Sequence, residues 1–137
     1  MPAIAAITIK DGATTPVSHI FVPIDVNGGV GELAERRATG SMIGENKLGL
    51  SSRRVSASKR DKSEIRFAIP KVVTETVNGV NVDKVIGTSY IRILADWDPN
   101  HTPDERTSQK GLVHNAMSAS GQDLLDKVFR GVERVYG

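Results

Sequence analysis

The sequence predicts an α+β fold: an antiparallel sheet that begins with an N-terminal hairpin and is covered on one face by two C-terminal helices. Three observations carry this. Two long stretches, about Lys62 to Val72 and Val85 to Trp97, alternate apolar and polar residues with the period of two that a half-buried strand imposes. The Val77-Asn78-Gly79-Val80 segment between them reads as a loop. Past Trp97 the apolar spacing becomes helical, and Thr102-Pro103-Asp104-Glu105 supplies an N-cap, a first-turn proline and a capping glutamate.

Ala3 to Lys10 places Ala3, Ala5, Ile7 and Ile9 on one side, and Asp11-Gly12 marks a turn. Val17 to Ile24 completes the hairpin, with Pro23 at an edge or an end. Asn27 to Asn46, rich in Gly, Arg and Glu, is a connection holding one short strand around Val30 to Leu33. Lys47 to Ala57 is a long strand, with Leu48, Leu50 and Ser52 on one face and Lys47, Gly49, Ser51 and Arg53 on the other. A polar turn at Ser58 to Asp61 leads to the next strand, where Ile65, Phe67 and Ile69 oppose Glu64, Arg66 and Ala68. The last strand turns Ile91, Ile93 and Ala95 inward and Tyr90, Arg92 and Leu94 outward.

In the first helix Leu112, Val113, Ala116 and Met117 form an apolar stripe. Ser120 caps a second helix whose apolar face is Leu124, Leu125, Val128, Phe129 and Val132. Two helices this short leave part of so broad a sheet uncovered, so a second copy is expected to bury the rest and the chain to form a homodimer.

A chain of 137 residues holds one domain, 1–137, with a β-rich part over 1–97 and two helices over 102–137. At 39% hydrophobic and 25% charged it has the composition of a folded protein. The net charge of +2 demands no polyanionic partner, so a basic signal must come from local arrangement. The lack of cysteine removes disulfides, thiol catalysis and thiolate metal sites. No apolar run reaches the length of a membrane helix and no basic start leads into a signal core. The protein is therefore expected to be soluble, made inside the cell and without a membrane partner.

Most candidate sites have a plainer reading. Asp96, Asp98 and Asn100 open like a calcium loop, but His101 stands where the turn needs glycine and Thr107 where it needs glutamate; a strand end leading into a capped helix is expected instead. Gly28-Gly29-Val30-Gly31 lacks a strand-to-helix setting and reads as a turn rather than a phosphate cradle. His19, His101 and His114 share no metal-ligand spacing and have no evident nucleophile partner. No cofactor, no metal and no enzymatic activity are expected.

One polar sheet face is different, because three strands contribute similar residues to it: Lys47, Ser51 and Arg53 from one, Lys62 and Arg66 from the next, Tyr90 and Arg92 from the third. Arginine and lysine neutralise phosphates and hydrogen-bond base edges, and an exposed tyrosine gives an unpaired base a surface to stack on. A merely solvated face would also alternate, and Glu64 interrupts the basic field. The pattern therefore suggests nucleic-acid contact and leaves a solvated face as the alternative.

Pro70-Lys71-Val72, Thr74-Glu75-Thr76-Val77-Asn78-Gly79-Val80 and Ser89-Tyr90 resemble, at matching spacing, the coat proteins of small single-stranded RNA bacteriophages, the levivirus family. Gly29-Val30-Gly31-Glu32-Leu33 resembles that family's short Gly-Val-Ala-Glu-aromatic strand. The resemblance is specific from Lys62 to Arg92 and architectural over the first 25 residues.

It implies an intertwined dimer with a continuous sheet, assembly into an icosahedral shell, and packaging of single-stranded genomic RNA in a virion made in the cytoplasm of a bacterial host. It also implies an operator RNA stem-loop bound on the sheet face, so that the protein represses translation. Carried over by position, Val30, Gly49, Ser51, Glu64 and Arg66 line adenine pockets, Tyr90 stacks on a base beside Arg92, and Lys47, Arg53 and Lys62 contact the backbone. Gly49, Glu64 and Arg92 depart from the familiar hydroxyl and amide pattern. The loop over about Val73 to Val85, with Thr74, Thr76, Asn78, Gly79 and Asp83, makes the contacts between dimers, and Asp83 stands where the best-known relatives have proline. The alternative is a dimeric RNA-binding module that does not assemble.

Overall fold

The computed structural model describes residues 3–55, 60–118, 123–132 and 134–135. The chain divides into two compact units, Met1–Asp96 and Trp97–Gly137. The first unit is built from a six-stranded antiparallel sheet in sequential order: β1 (Ile7–Lys10), β2 (Ser18–Asn27), β3 (Val30–Glu35), β4 (Asn46–Val55), β5 (Arg60–Val77) and β6 (Val80–Trp97).

Its core lies on one face. Leu33 opposes Leu48 and Leu48 opposes Phe67, so three strands stack apolar side chains in one row. Phe21, Leu33 and Leu48 are buried, and Ile4, Ile7, Ile9, Leu50 and Phe67 pack against them. The Phe21 and Phe67 rings meet edge to face with centroids 6.2 Å apart.

The N-terminal strand starts later than the alternation predicts. Ile4, rather than Ala3 or Ala5, joins the core from outside β1, because a larger side chain gains more from burial than a regular pleat would give alanine. Pro23 stands within β2 rather than at its end. Pairing with β1 stops at Phe21, so Pro23 pairs only with β3, where its missing N–H breaks no ladder. A register shift between Pro23 and Asp25 makes Ile24 the extra residue of a bulge. The short strand predicted at Val30 to Leu33 runs on to Glu35.

Gly28 and Gly29, both at positive φ, form the tight β2–β3 turn. Part of the turn expected at Ser58 to Asp61 lies outside the described residues, and Arg60 and Asp61 already belong to β5.

The largest departure concerns the predicted loop over Val73 to Val85. Both flanking strands continue through it, and only Asn78 (φ 51°) and Gly79 (φ 80°) turn. Asn-Gly is the pair that a two-residue hairpin turn with two left-handed residues selects, and the β-branched residues on either side extend the strands to it. Thr74, Thr76 and Asp83 are therefore strand residues. Thr74 donates to Asp83 (3.1 Å) and Thr76 to Asn81 (2.9 Å) across the hairpin. Arg37, from the β3–β4 connection, donates to the same Asp83 at 2.7 Å.

At the inner end of the same two strands Lys62 pairs with Asp96 at 3.6 Å and Arg92 with Glu64 at 2.7 Å.

His19 ties the N-terminal hairpin to the sheet. Its Nδ1 lies 2.8 Å from Glu35 and its Nε2 3.2 Å from Asp11, while Asp11 also accepts from the Val17 and Ala13 N–H groups. The Asp11 contact, followed by Glu35, raises the His19 pKa; the Val17 N–H, followed by His19, lowers that of Asp11. A raised histidine pKa contributes stability that is complete below the unfolded value of about 6.5 and is lost as pH rises through the folded one. The urea midpoint is expected to fall between pH 6 and 8, and to fall less in His19→Asn. Equal slopes in the two proteins would remove His19 from the account.

The second unit carries α1 (Pro103–Met117) and α2 (Asp123–Phe129). The Thr102 side chain accepts from the Glu105 N–H (3.3 Å) and the Thr102 N–H donates to Glu105 (2.7 Å), the reciprocal cap the sequence predicts. Asp98 accepts from the Asn100 N–H, as a turn residue does. The Ser120 cap lies outside the described residues. Val132 sits at φ 55° beyond α2 and so does not share its face.

Candidate nucleic-acid interface

Strand register gathers the polar residues of several strands into one field. Gly49 lies opposite Arg66, Ser51 opposite Glu64 and Arg53 opposite Lys62, and Val30 on β3 lies opposite Ser51. Directly opposed residues of an antiparallel pair project from the same side, so these seven share a face. Lys47, opposite Ala34 and Ala68, continues the row. Arg92 reaches it from β6, its Nε 2.7 Å from Glu64 Oε1. Tyr90 is 80% exposed, and the half-burial of Ile91 and Ile93 between exposed neighbours keeps it on the side of Arg92.

Val30, Ser51, Arg53, Lys62, Glu64 and Arg66 line a shallow concavity of about 380 Å³, completed by Gly28, Gly29, Ser52 and Leu94. Gly49 has a specific role beneath it. A Cβ there would stand 3.3 Å from Arg66 Nε and 3.5 Å from its Nη2, so the missing side chain lets the guanidinium lie against the sheet.

The face is less uniformly basic than the lysines and arginines alone indicate. Glu64 is approached by Arg92 and, at 3.4 Å, by Arg66, and Lys62 pairs with Asp96 at 3.6 Å. Glu32 opposes Gly49 and adds a second carboxylate to the row. The sequence places Asp96 at a strand end, and it gives no sign that Leu94 and the Gly28-Gly29 turn line the concavity or that Glu32 joins the row. Their proximity arises from register, which no local pattern encodes.

Compared with known families, residues 2–136 match the levivirus coat protein family. The chain belongs to that family. The coat protein is also 37% identical over 113 residues to the capsid protein of Pseudomonas phage PRR1, covering 82% of this chain and 84% of that protein. Among solved structures it resembles the virus-like particle of bacteriophage ESE058, with a TM-score of 0.78 at 20% identity over 98% of this chain and 100% of that one. It resembles the bacteriophage GA protein capsid at a TM-score of 0.76 and 20% identity, over 97% and 98% of the two chains. These structural likenesses bear on the fold: six antiparallel strands followed by two helices. The family match extends across the N-terminal hairpin, where the sequence motifs are only architectural. The matched family and the curated relative are coat and capsid proteins, which are structural proteins rather than enzymes.

Proposed function

We propose that this coat protein, acting as one domain over 1–137, forms an intertwined homodimer whose sheets join into one, and that dimers assemble into an icosahedral shell. The shell packages single-stranded genomic RNA against the polar sheet face, in a virion made in the cytoplasm of a bacterial host. The same face binds an operator stem-loop and so represses translation.

The observation that carries this reading is an exposed tyrosine set beside arginines and lysines on one rigid sheet face. Tyr90 offers a stacking surface, Arg66 and Arg92 offer base-edge donors, and Lys47, Arg53 and Lys62 offer phosphate contacts. Val30, Gly49, Ser51 and Glu64 form the floor between them.

Dimerisation draws support from the second unit. None of the α1 residues is buried in the single chain. Leu112 is 72% exposed and Phe129 60%, an apolar surface that a second copy would cover. Contacts between dimers fall to the outer end of the β5–β6 hairpin, at Thr74, Thr76, Asn78, Gly79 and Asp83. Its side chains are mostly exposed, so most of its length is available to neighbours.

Gel filtration of the protein expressed alone in a bacterium, with electron microscopy of the peak, tests assembly. RNA-filled particles near the void are expected; a dimer that stays a dimer over a range of salt would contradict the shell. Arg66→Ala and Tyr90→Ala are each expected to weaken stem-loop binding by about 1–3 kcal/mol while the dimer persists. Unchanged affinity in both variants would move the RNA to another surface.

A further inference from the structure

We propose that Arg37 is a positioning residue for shell assembly. It bolts the outer end of the β5–β6 hairpin to the β3–β4 connection, so that dimers meet through a hairpin already held in place. The proposal rests on the shell reading above and names the residue that prepares the hairpin for it.

The hairpin needs such a tie. The β4–β5 register ends where Lys47 meets Ala68. From Ile69 outward β5 has only β6 beside it, and a two-stranded ribbon is marginally stable on its own in water. Val77, Val80, Val82 and Ile86 are exposed, so the ribbon builds no core of its own.

The connection supplies what β4 does not. It is closed on itself: Arg36 pairs with the buried Glu45 at 3.2 Å, and Arg37 Nη1 donates to the Ile43 carbonyl at 3.0 Å. The same Nη1 reaches Asp83 Oδ2 at 2.7 Å, where the two side chains are only 27% and 21% exposed. The other Asp83 oxygen accepts from Thr74 on β5 at 3.1 Å. One carboxylate thus joins the connection to both strands of the ribbon. Gly44 adds a close approach to Val72 and Val85, nearer the sheet. A sheltered ion pair is screened less than a surface one, and a hydrogen bond to a charged group is stronger than a neutral one. Without it, the ribbon would lose its conformational freedom only at the moment of assembly, at a cost to association.

The test compares native protein, Arg37→Ala, Arg37→Lys and Asp83→Asn by two measurements. One is hydrogen exchange on unassembled protein, held below the concentration at which particles form; the other is light scattering as that concentration is crossed. In Arg37→Ala, amides over 73–84 are expected to exchange about tenfold faster, as loss of a charged hydrogen bond implies, while those of β3 and β4 keep the native rate. The concentration at which particles appear is expected to rise by about tenfold as well, because the ordering then falls on association. Arg37→Lys, which keeps a charge beside Asp83, should recover most of both. Asp83→Asn, which keeps the Thr74 bond and removes the charge, should lose part of both, and it decides by the same criteria if Arg37→Ala does not fold. Native exchange over 73–84, faster exchange across the whole sheet, or a looser hairpin that assembles at the native concentration would each overturn the proposal and leave the shell reading standing. Native protein that forms no particles at any concentration would overturn the shell reading, and this proposal with it.

Discussion

Leu33→Ala is expected to destabilise the protein by about 2–5 kcal/mol, the range for removing a buried leucine side chain. Leu33 is fully buried, opposite Pro23 on one side and Leu48 on the other, and it belongs to the cluster with Phe21. The truncation removes transfer energy and leaves a cavity that a hydrogen-bonded sheet cannot close by moving one strand. Leu33 and Leu48 are the largest fully buried side chains among the described residues, so few others share the burden. Against a typical stability of about 5–15 kcal/mol, such a loss is severe. Urea unfolding of both proteins at one fixed concentration measures it, since assembly makes apparent stability depend on concentration. A loss below about 1 kcal/mol would mean that the core lies elsewhere.

Gly44→Ala is expected to cost nearly as much, for a different reason. Gly44 has φ +77°, and a Cβ there would run into Val72 Cγ2, with Val85 Cγ2 also close at 3.7 Å. The left-handed backbone alone costs an alanine about 1–2 kcal/mol, and overpacking adds about 1–3 more. Gly40→Ala is the internal control: its φ is +71° but nothing lies within 4 Å of the added methyl. It should lose only the backbone part. Equal losses in the two variants would show that the β3–β4 connection does not press on the β5–β6 hairpin at Gly44. Arg37 of the same connection also holds Asp83, one of the residues proposed to meet neighbouring dimers.

The sequence by itself determined where most strands and both helices fall and, along β4, β5 and α1, much of their patterning. Alternation puts Leu48 and Leu50 against Ser51 and Arg53, and the capping box starts α1 at Pro103, because these signals are local and steric. The motifs from Pro70 to Tyr90 were equally legible, and they point to the coat-protein family that the comparisons establish. Other features needed the fold. Ile4 entering the core from outside β1 and the bulge at Ile24 each depend on which residues meet across strands. The hairpin that replaces the predicted loop shows the same limit: the polar threonines around Asn78 read as loop, yet cross-strand hydrogen bonds among Thr74, Thr76, Asn81 and Asp83 keep them in the sheet. The clasp of Arg66 and Arg92 on Glu64 joins residues two and 28 positions apart in sequence. Its charge balance, and so the chemistry of the face, was decided only when tertiary register set those side chains within reach.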